Sequence, residues 1–365
     1  PLAKVVFPFI RTPGNVFKYA FARTPIAPLL MKSVRDDFNA GGAKRDLAMS
    51  RIGLGTMVMT ATAAAVVGGL ITGGGPEDRD LRRNLRALGW QPYSIYNPIT
   101  KRYTSYIGLE PPGSVLGIAA DATEITMRSG NIKDAEDVAV VAAMAIARQV
   151  TNKTFLRGQS DLFHAIDDPV RYGDSYFGHQ VASGVPNIIN QLSQTSDPYL
   201  REANGVIQNI KKRTPWRTEL ELIRDRWGDP IIREGSLGPD FISPLFQSTK
   251  KEDFVDKVIA DNEVRIPRIR RTINVRGVPV ELNDEQFRQY QINAGGKARD
   301  RLEGMVETAK FQHLTDGPDG AKSVKIRKVF QESRARARVE LLEEYPDLSM
   351  LADDKLSEVR QALGR

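Results

Sequence analysis

Two runs of cationic side chains are the groups in this sequence whose type and spacing could do chemistry. Arg265, Arg268, Arg270, Arg271 and Arg276 fall between Glu263 and Glu281 with no acid among them. Lys325, Arg327, Lys328, Arg334 and Arg338, joined by Lys322 and Arg336, repeat the pattern, relieved only by Glu332. Clustered guanidinium and ammonium groups neutralise phosphates, with an affinity that falls steeply as salt rises. The same clusters also suit a solvated or acid-paired helix face, and both readings stand at this level. A net charge of +7 and a pI near 9.4 permit contact with nucleic acid or an anionic membrane without demanding it.

Bond-making chemistry is harder to place. The 365 residues include no cysteine, which excludes disulfides, thiolate-bound zinc, iron–sulfur centres and thiol catalysis. The three histidines, His164, His179 and His313, are scattered and form neither HExxH nor His-x-His, so no histidine metal site is expected. Asp36-Asp37 and Asp167-Asp168 are adjacent pairs whose side chains diverge on a helix, unlike the paired carboxylates of acid–base catalysis. There is no GxxxxGK[ST] loop, since Gly73–Gly75 lacks the following Lys-Ser/Thr, and no GxSxG elbow. The sequence reads as a non-enzymatic protein with no cofactor.

The element that must organise the rest is Ile52 to Gly75, IGLGTMVMTATAAAVVGGLITGGG. It carries no charge over 24 residues. As one helix it would run roughly 36 Å, against a hydrocarbon core of about 30 Å. Nine positions are strongly apolar and the other fifteen are Gly, Ala or Thr. Ala61, Ala65, Gly69 and Gly73 recur every four residues and would line one face, letting another helix approach to backbone contact. Val66 and Leu70, within the same stretch, are further candidates for membrane or helix-packing contact. A membrane-spanning helix and the buried central helix of a soluble bundle both fit this composition. The triple glycine and Pro76 would end either one.

Before this stretch, Thr12-Pro13 and Thr24-Pro25 read as helix starts. The aromatic and basic residues from Phe7 to Arg23 suit either a membrane interface or an amphipathic helix. Gly41-Gly42 breaks the pattern, and a helix restarting near Ala43 runs into the apolar stretch. After it, Glu77 to Leu88 is helical and ends at Gly89. Tyr93–Tyr96 and Arg102–Tyr106 flank a loop and form a hairpin. Helices follow over Val115–Met127 and Val138–Ala147. Asp197-Pro198 reads as a further helix start, and Arg201–Arg213 as an amphipathic helix. Thr214 to Pro244 is an irregular connection. Thr272–Val275 and Val278–Leu282 make a second hairpin turning at Gly277. Asn283 with Gln286 opens a helix to about Gln312, and a last long helix runs from Ala321 to Glu344. Val324, Val329, Ala335 and Val339 are its expected packing face. The fold class is therefore mainly α, an elongated multi-helix assembly with two short β-hairpins (about 93–106 and 272–282). The expected divisions are 1–88, 89–213, 214–271 and 272–365.

Several stretches together resemble a known family. FPFIRTPGNVFKYAFARTP (7–25) comes first, then the Ala/Gly-rich apolar segment. GWQPYSIYN…RYTSYIGLEPPGSVLGIAADATE (89–124), NKTFLRGQSDLFHAIDDPVRYGDSY (152–176), RDRWGDPI (224–231), SPLF (243–246) and VRGVPVELNDEQFRQY (275–290) follow in order. Their order is similar to that in very large phage proteins known as internal virion or large polyvalent proteins. Such proteins look like ejection proteins of short-tailed phages, packaged in the capsid and contributing to a conduit through the host envelope. The resemblance implies a homo-oligomer, with other internal virion, portal or tail proteins, double-stranded DNA and the host membrane as partners. Its places are the virion interior and then the host envelope. In larger members this region lies toward the C-terminus, and a start at Pro1 fits a piece of a longer chain. It places no residue roles. Two alternatives stay open: a structural virion component that never enters a membrane, and a non-catalytic region of a larger polyvalent protein.

Overall fold

The computed structural model describes Asn15 and residues 18–109, 111–129, 135–152, 193, 196–203, 206–232 and 247–362. His164, His179, Asp167-Asp168, the Thr12-Pro13 start and the aromatic residues before Lys18 lie outside the described residues. The fold is mainly α, with two small antiparallel sheets among the described residues. The chain divides into two compact units. Unit 1 comprises Pro1–Pro76, Gly89–Gln180 and Glu234–Lys250. Unit 2 comprises Glu77–Leu88, Val181–Arg233 and Lys251–Arg365.

Unit 1 begins with α1 (Ala27–Leu30) and α2 (Lys32–Ala40), separated by Met31 in an extended conformation. Gly41, at φ +67°, and Gly42 turn the chain into α3 (Gly42–Val67). The next helix, α4 (Arg79–Ala87), belongs to unit 2 and is capped by Asp78, whose carboxylate accepts from the amides of Asp80 and Leu81. Back in unit 1, β1 (Ser94–Asn97) pairs with β2 (Arg102–Ser105) in the register Ser94↔Ser105, as the first expected hairpin required. A third strand, β3 (Gln247–Thr249), adds to β2 through Tyr103↔Ser248. Its three residues are too few to show a period, so no sequence signal announced it. Then α5 (Pro112–Ser129) packs along α3, and α6 (Ala135–Asn152) packs along α5.

In unit 2 the segment 197–203 is extended and not helical. Tyr199 bridges to Ile232 and Arg201 to Leu222. Asp197 therefore starts no helix, and helix α7 is confined to Val206–Lys212. The Asp197 carboxylate instead receives the guanidiniums of Arg201 at 2.6 Å and Arg217 at 3.2 Å, which ties it into the bridged loops.

α8 (Phe254–Asp261) is capped by Asp253. The strands β4 (Thr272–Val275) and β5 (Val278–Glu281) turn at Arg276 and Gly277, both at positive φ, the geometry of a two-residue type I′ turn. Asn283 and Gln286 form the full reciprocal capping box at the start of α9 (Asp284–Val306). The expected run to Gln312 breaks at Thr308, whose hydroxyl caps the short α10 (Ala309–Gln312). α11 (Ala321–Glu344) has the expected bounds, and α12 (Asp347–Ala362) follows it beyond the expected last helix.

The α9–α11 pair carries the core of unit 2. One cluster joins Trp227, Ile259, Leu302, Phe311, Ile326 and Phe330, and a second joins Tyr290, Ala294, Ala337, Leu341 and the hairpin residues Ile273 and Val280. The buried face of α11 is thus Lys322, Ser323, Ile326, Val329, Phe330, Ser333, Ala337 and Leu341. Of the four expected residues only Val329 is buried, while Val324 and Val339 are exposed. The helix follows the true 3.6-residue stripe, in which two serines stand beside the apolar positions. Among the described glycines of this unit Gly295 permits the closest approach: a Cβ there would lie 2.2 Å from the Trp227 backbone.

Candidate functional site

α3 has two unlike sides. Ala48, Gly55, Thr62 and Val66 are buried, with Val58 and Met59 against Ala20, Val115 and Ile118. The closest small-residue contact is at Gly55, where a Cβ would fall 1.9 Å from the carbonyl oxygen of Arg23. On the opposite side Leu54, Met57 and Val67 are 61%, 72% and 65% exposed, and Leu47 is exposed as well. By length and composition α3 is able to cross a membrane, and only 17% of its most apolar 18-residue window is buried. A soluble core helix passes the same composition test but is buried for most of its length. Charge is confined to the N-terminal part, at Lys44, Arg45, Asp46 and Arg51. The nearby Arg23 guanidinium lies 3.3 Å above the Tyr19 ring.

The helix does not reach Gly75. Gly69, at φ +70°, ends it in a Schellman motif: the Gly69 amide donates to Val66 O at 2.9 Å and the Leu70 amide to Ala65 O at 2.8 Å. Ala61 and Ala65 remain on α3, Ala61 exposed and Ala65 half-buried, while Gly69, Leu70 and Gly73 leave it. The expected four-residue small face is therefore cut in half. The reason is local: Gly68-Gly69 offers a low-cost left-handed residue where the helix carbonyls need one.

Beyond that cap the chain is stitched to the hairpin and to α5. Ile71 bridges Ile95, and the Thr72 hydroxyl donates to Gln91 O at 2.6 Å. Three successive amides then meet two carboxylates. Gly73 and Gly75 donate to the two oxygens of Glu124 at 2.7 and 2.9 Å, and Gly74 donates to Asp121 at 2.8 Å. The Tyr93 hydroxyl donates to the other Asp121 oxygen at 3.1 Å. The Tyr106 hydroxyl donates to Thr72 O at 2.8 Å. Burial, then the Asp121 charge, raise the Tyr106 phenol well above its ordinary pKa. The triple glycine is an anion-gripping turn filled by the chain's own carboxylates. Asp121, fully buried and four residues before Ile125 on α5, has no sequence signal because its partners Tyr93 and Gly74 lie 28 and 47 residues away.

The basic clusters divide by partner. Arg265 pairs with Asp78 at 3.0 Å, Arg276 with Asp353 at 2.8 Å, and Lys328 lies 3.9 Å from Glu332. Arg271 is held by Asp284 and by Glu202, and its guanidinium lies 4.9 Å from the Phe287 ring. Arg334 donates to Pro267 O at 2.6 Å. Arg268, Arg270, Lys325, Arg327, Arg334 and Arg338 have no carboxylate within ion-pair distance among the described residues. Arg83, outside both sequence clusters, meets Arg334 on the 266–267 segment, donating to Ile266 O at 3.1 Å, while Arg226 lies 3.7 Å from Asp256. No group of three His, Asp or Glu among the described residues is placed to hold a metal ion. The chain matches no protein-family model, no curated protein and no solved structure.

Proposed function

We propose that this chain is a phage internal virion (ejection) protein and that α3 is its membrane-contacting element. It would be stored in the capsid and contribute to an oligomeric conduit for genome delivery through the host envelope. The observation that carries the reading is the unpartnered apolar side of α3, with Leu54, Met57 and Val67 turned away from the core. Lys44, Arg45 and Arg51 sit at the end of the helix where a lipid surface would present its anionic headgroups. The ordered sequence blocks that resemble phage ejection proteins support the same reading.

The test is flotation of the purified chain with vesicles of phosphatidylglycerol and phosphatidylethanolamine. A lysine at the centre of an inserted helix costs at least about 2.5 kcal/mol. Wild-type protein is expected to float, and the double variant Leu54→Lys, Met57→Lys to stay in the dense fraction with its circular dichroism unchanged. These positions are exposed, so the variant tests lipid contact without emptying the core. Flotation of neither protein would favour a structural virion component that stays out of membranes.

A further inference from the structure

In unit 1 the β1–β2 hairpin ends in a turn from Pro98 to Lys101, and every residue from Asn97 to Arg102 is exposed. Ile99, at its tip, is 91% exposed, more than any other large apolar side chain among the described residues. The turn is braced: the Asn97 side-chain oxygen accepts from the amides of Ile99 at 2.9 Å and Thr100 at 3.2 Å. Behind it the rings of Tyr96 and Tyr103, on paired positions of the two strands, have centroids 4.7 Å apart. The base of the hairpin is tied to the chain that leaves α3. Ile95 bridges Ile71, and the Tyr96 amide donates to Leu70 O at 2.8 Å. The isoleucine is thus held away from the core on a fixed stalk.

Cations surround the tip. Residues 90–109 hold no Asp or Glu, and Lys101 and Arg102 are their only charged side chains. The Lys250 amide donates to Lys101 O at 2.8 Å and Arg102 pairs with Thr249, so the end of β3 sets a third cation beside those two. Arg102 and Lys250 have no carboxylate within ion-pair distance among the described residues. The Lys250 ammonium lies 5.5 Å from the centre of the Tyr96 ring. Lys101 also holds φ +54°, a left-handed conformation that asparagine or glycine adopts at lower cost. A lone exposed isoleucine is ordinary on a protein surface. A braced apolar tip ringed by three cations, one kept in a conformation that lysine resists, is complementary to an anionic bilayer, where acyl chains lie beneath a negatively charged surface.

We propose that this tip is a second lipid contact, in which Ile99 enters the boundary between headgroups and acyl chains of an anionic bilayer while Lys101, Arg102 and Lys250 meet its headgroups. A nucleic acid would satisfy the cations but leave the isoleucine in water, and a neutral bilayer would do the reverse. One apolar side chain and three cations give weak, reversible binding, which titration at equilibrium registers and flotation loses. The contact is separate from α3, and either reading survives failure of the other.

The chain has no cysteine, so Ile99→Cys takes a single environment-sensitive fluorophore, and Val324→Cys, exposed on α11, serves as the control. The labelled full chain is titrated with vesicles in two backgrounds: wild type, and Leu54→Lys, Met57→Lys, which removes the α3 contact. With phosphatidylglycerol-rich vesicles the label at position 99 is expected to brighten and shift to the blue in both backgrounds, while the control label stays unchanged. Lys101→Gly should weaken vesicle affinity about fivefold and leave the thermal midpoint level or higher, because it relieves the left-handed lysine. A role confined to folding would lower the midpoint and leave the affinity unchanged. The proposal is overturned by no response at position 99, by an equal response to phosphatidylcholine vesicles or from the control label, or by unchanged affinity in Lys101→Gly. A response seen only in the wild-type background also overturns it, since α3 alone would then carry the tip to the membrane. A response to a 20-base-pair duplex and not to vesicles would reassign the tip to nucleic acid.

Discussion

The amide of Gly74 donates a 2.8 Å hydrogen bond to the buried carboxylate of Asp121, joining positions 47 residues apart. Downstream of the Gly69 cap, that bond holds the triple-glycine turn against α5. A Cβ at Gly74 would sit 2.7 Å from the Tyr93 hydroxyl, and one at Gly75 2.4 Å from the Trp90 ring. Gly74→Ala is therefore expected to cost about 1–3 kcal/mol by overpacking. Asp121→Ala should cost at least as much, because it leaves the Gly74 amide and the Tyr93 hydroxyl without their acceptor. Urea unfolding followed by hydrogen exchange at 72–75 measures both. Wild-type protection in the Asp121→Ala protein would refute the role given to this bond.

Two glycines of α3 should respond in opposite senses. Nothing lies within 4 Å of a Cβ placed at Gly53, so Gly53→Ala gains helix propensity and should stabilise by up to about 1 kcal/mol. At Gly55 the same methyl would lie 1.9 Å from Arg23 O. That overlap outweighs the propensity gain, and Gly55→Ala should lower the unfolding midpoint. Thermal unfolding of the pair is the check, and a Gly55→Ala protein as stable as Gly53→Ala would contradict the packing described.

Acid should loosen unit 2 at Asp197. Burial pushes its carboxyl upward, but the Arg201 hydrogen bond and the Arg201 and Arg217 charges prevail and hold it below the ordinary value of 3.8. The folded state thus releases this proton more readily than the unfolded chain. Its stabilisation is complete above the ordinary carboxylate pKa and is lost as pH falls through the lower folded value. Asp256 works in the opposite sense: burial raises it, so its contribution is lost as pH rises through its folded value. In melts from pH 6 down to pH 2, Asp197→Asn should flatten the acid limb relative to wild type. An unchanged limb would show that the Arg201–Asp197–Arg217 group contributes no acid sensitivity.

The hairpin turn offers an engineering test. Arg276 holds φ +49° and its ion pair with Asp353 is more than half exposed on both sides. Such a pair is worth under about 1 kcal/mol, while Asn followed by Gly is the favoured content of a type I′ turn. Arg276→Asn should raise the thermal midpoint or leave it level. A clear drop in midpoint would mean that the ion pair outweighs the turn strain.

The mainly helical class, both hairpins, the capping box at Asn283–Gln286 and the bounds of α11 were legible in the amino-acid sequence. Each is written in neighbours within a few positions: an apolar period, a cap followed by its N3 partner, an Arg-Gly turn. The uncharged apolar stretch and the two basic clusters were legible for the same reason. What they touch was not. The Gly68-Gly69 pair ended α3 locally, whereas tertiary packing gave Gly73–Gly75 to Asp121 and Glu124 and turned Leu54 and Met57 outward. It made Gly55, not the Ala61–Gly73 series, the point of closest approach. It also sorted the arginines, pairing Arg265, Arg271 and Arg276 with acids and setting Arg83 and Arg334 on the neighbouring carbonyls of Ile266 and Pro267. Composition shows how much charge a segment carries. Only the folded chain decides which charge finds a partner, because those partners lie tens to hundreds of residues away.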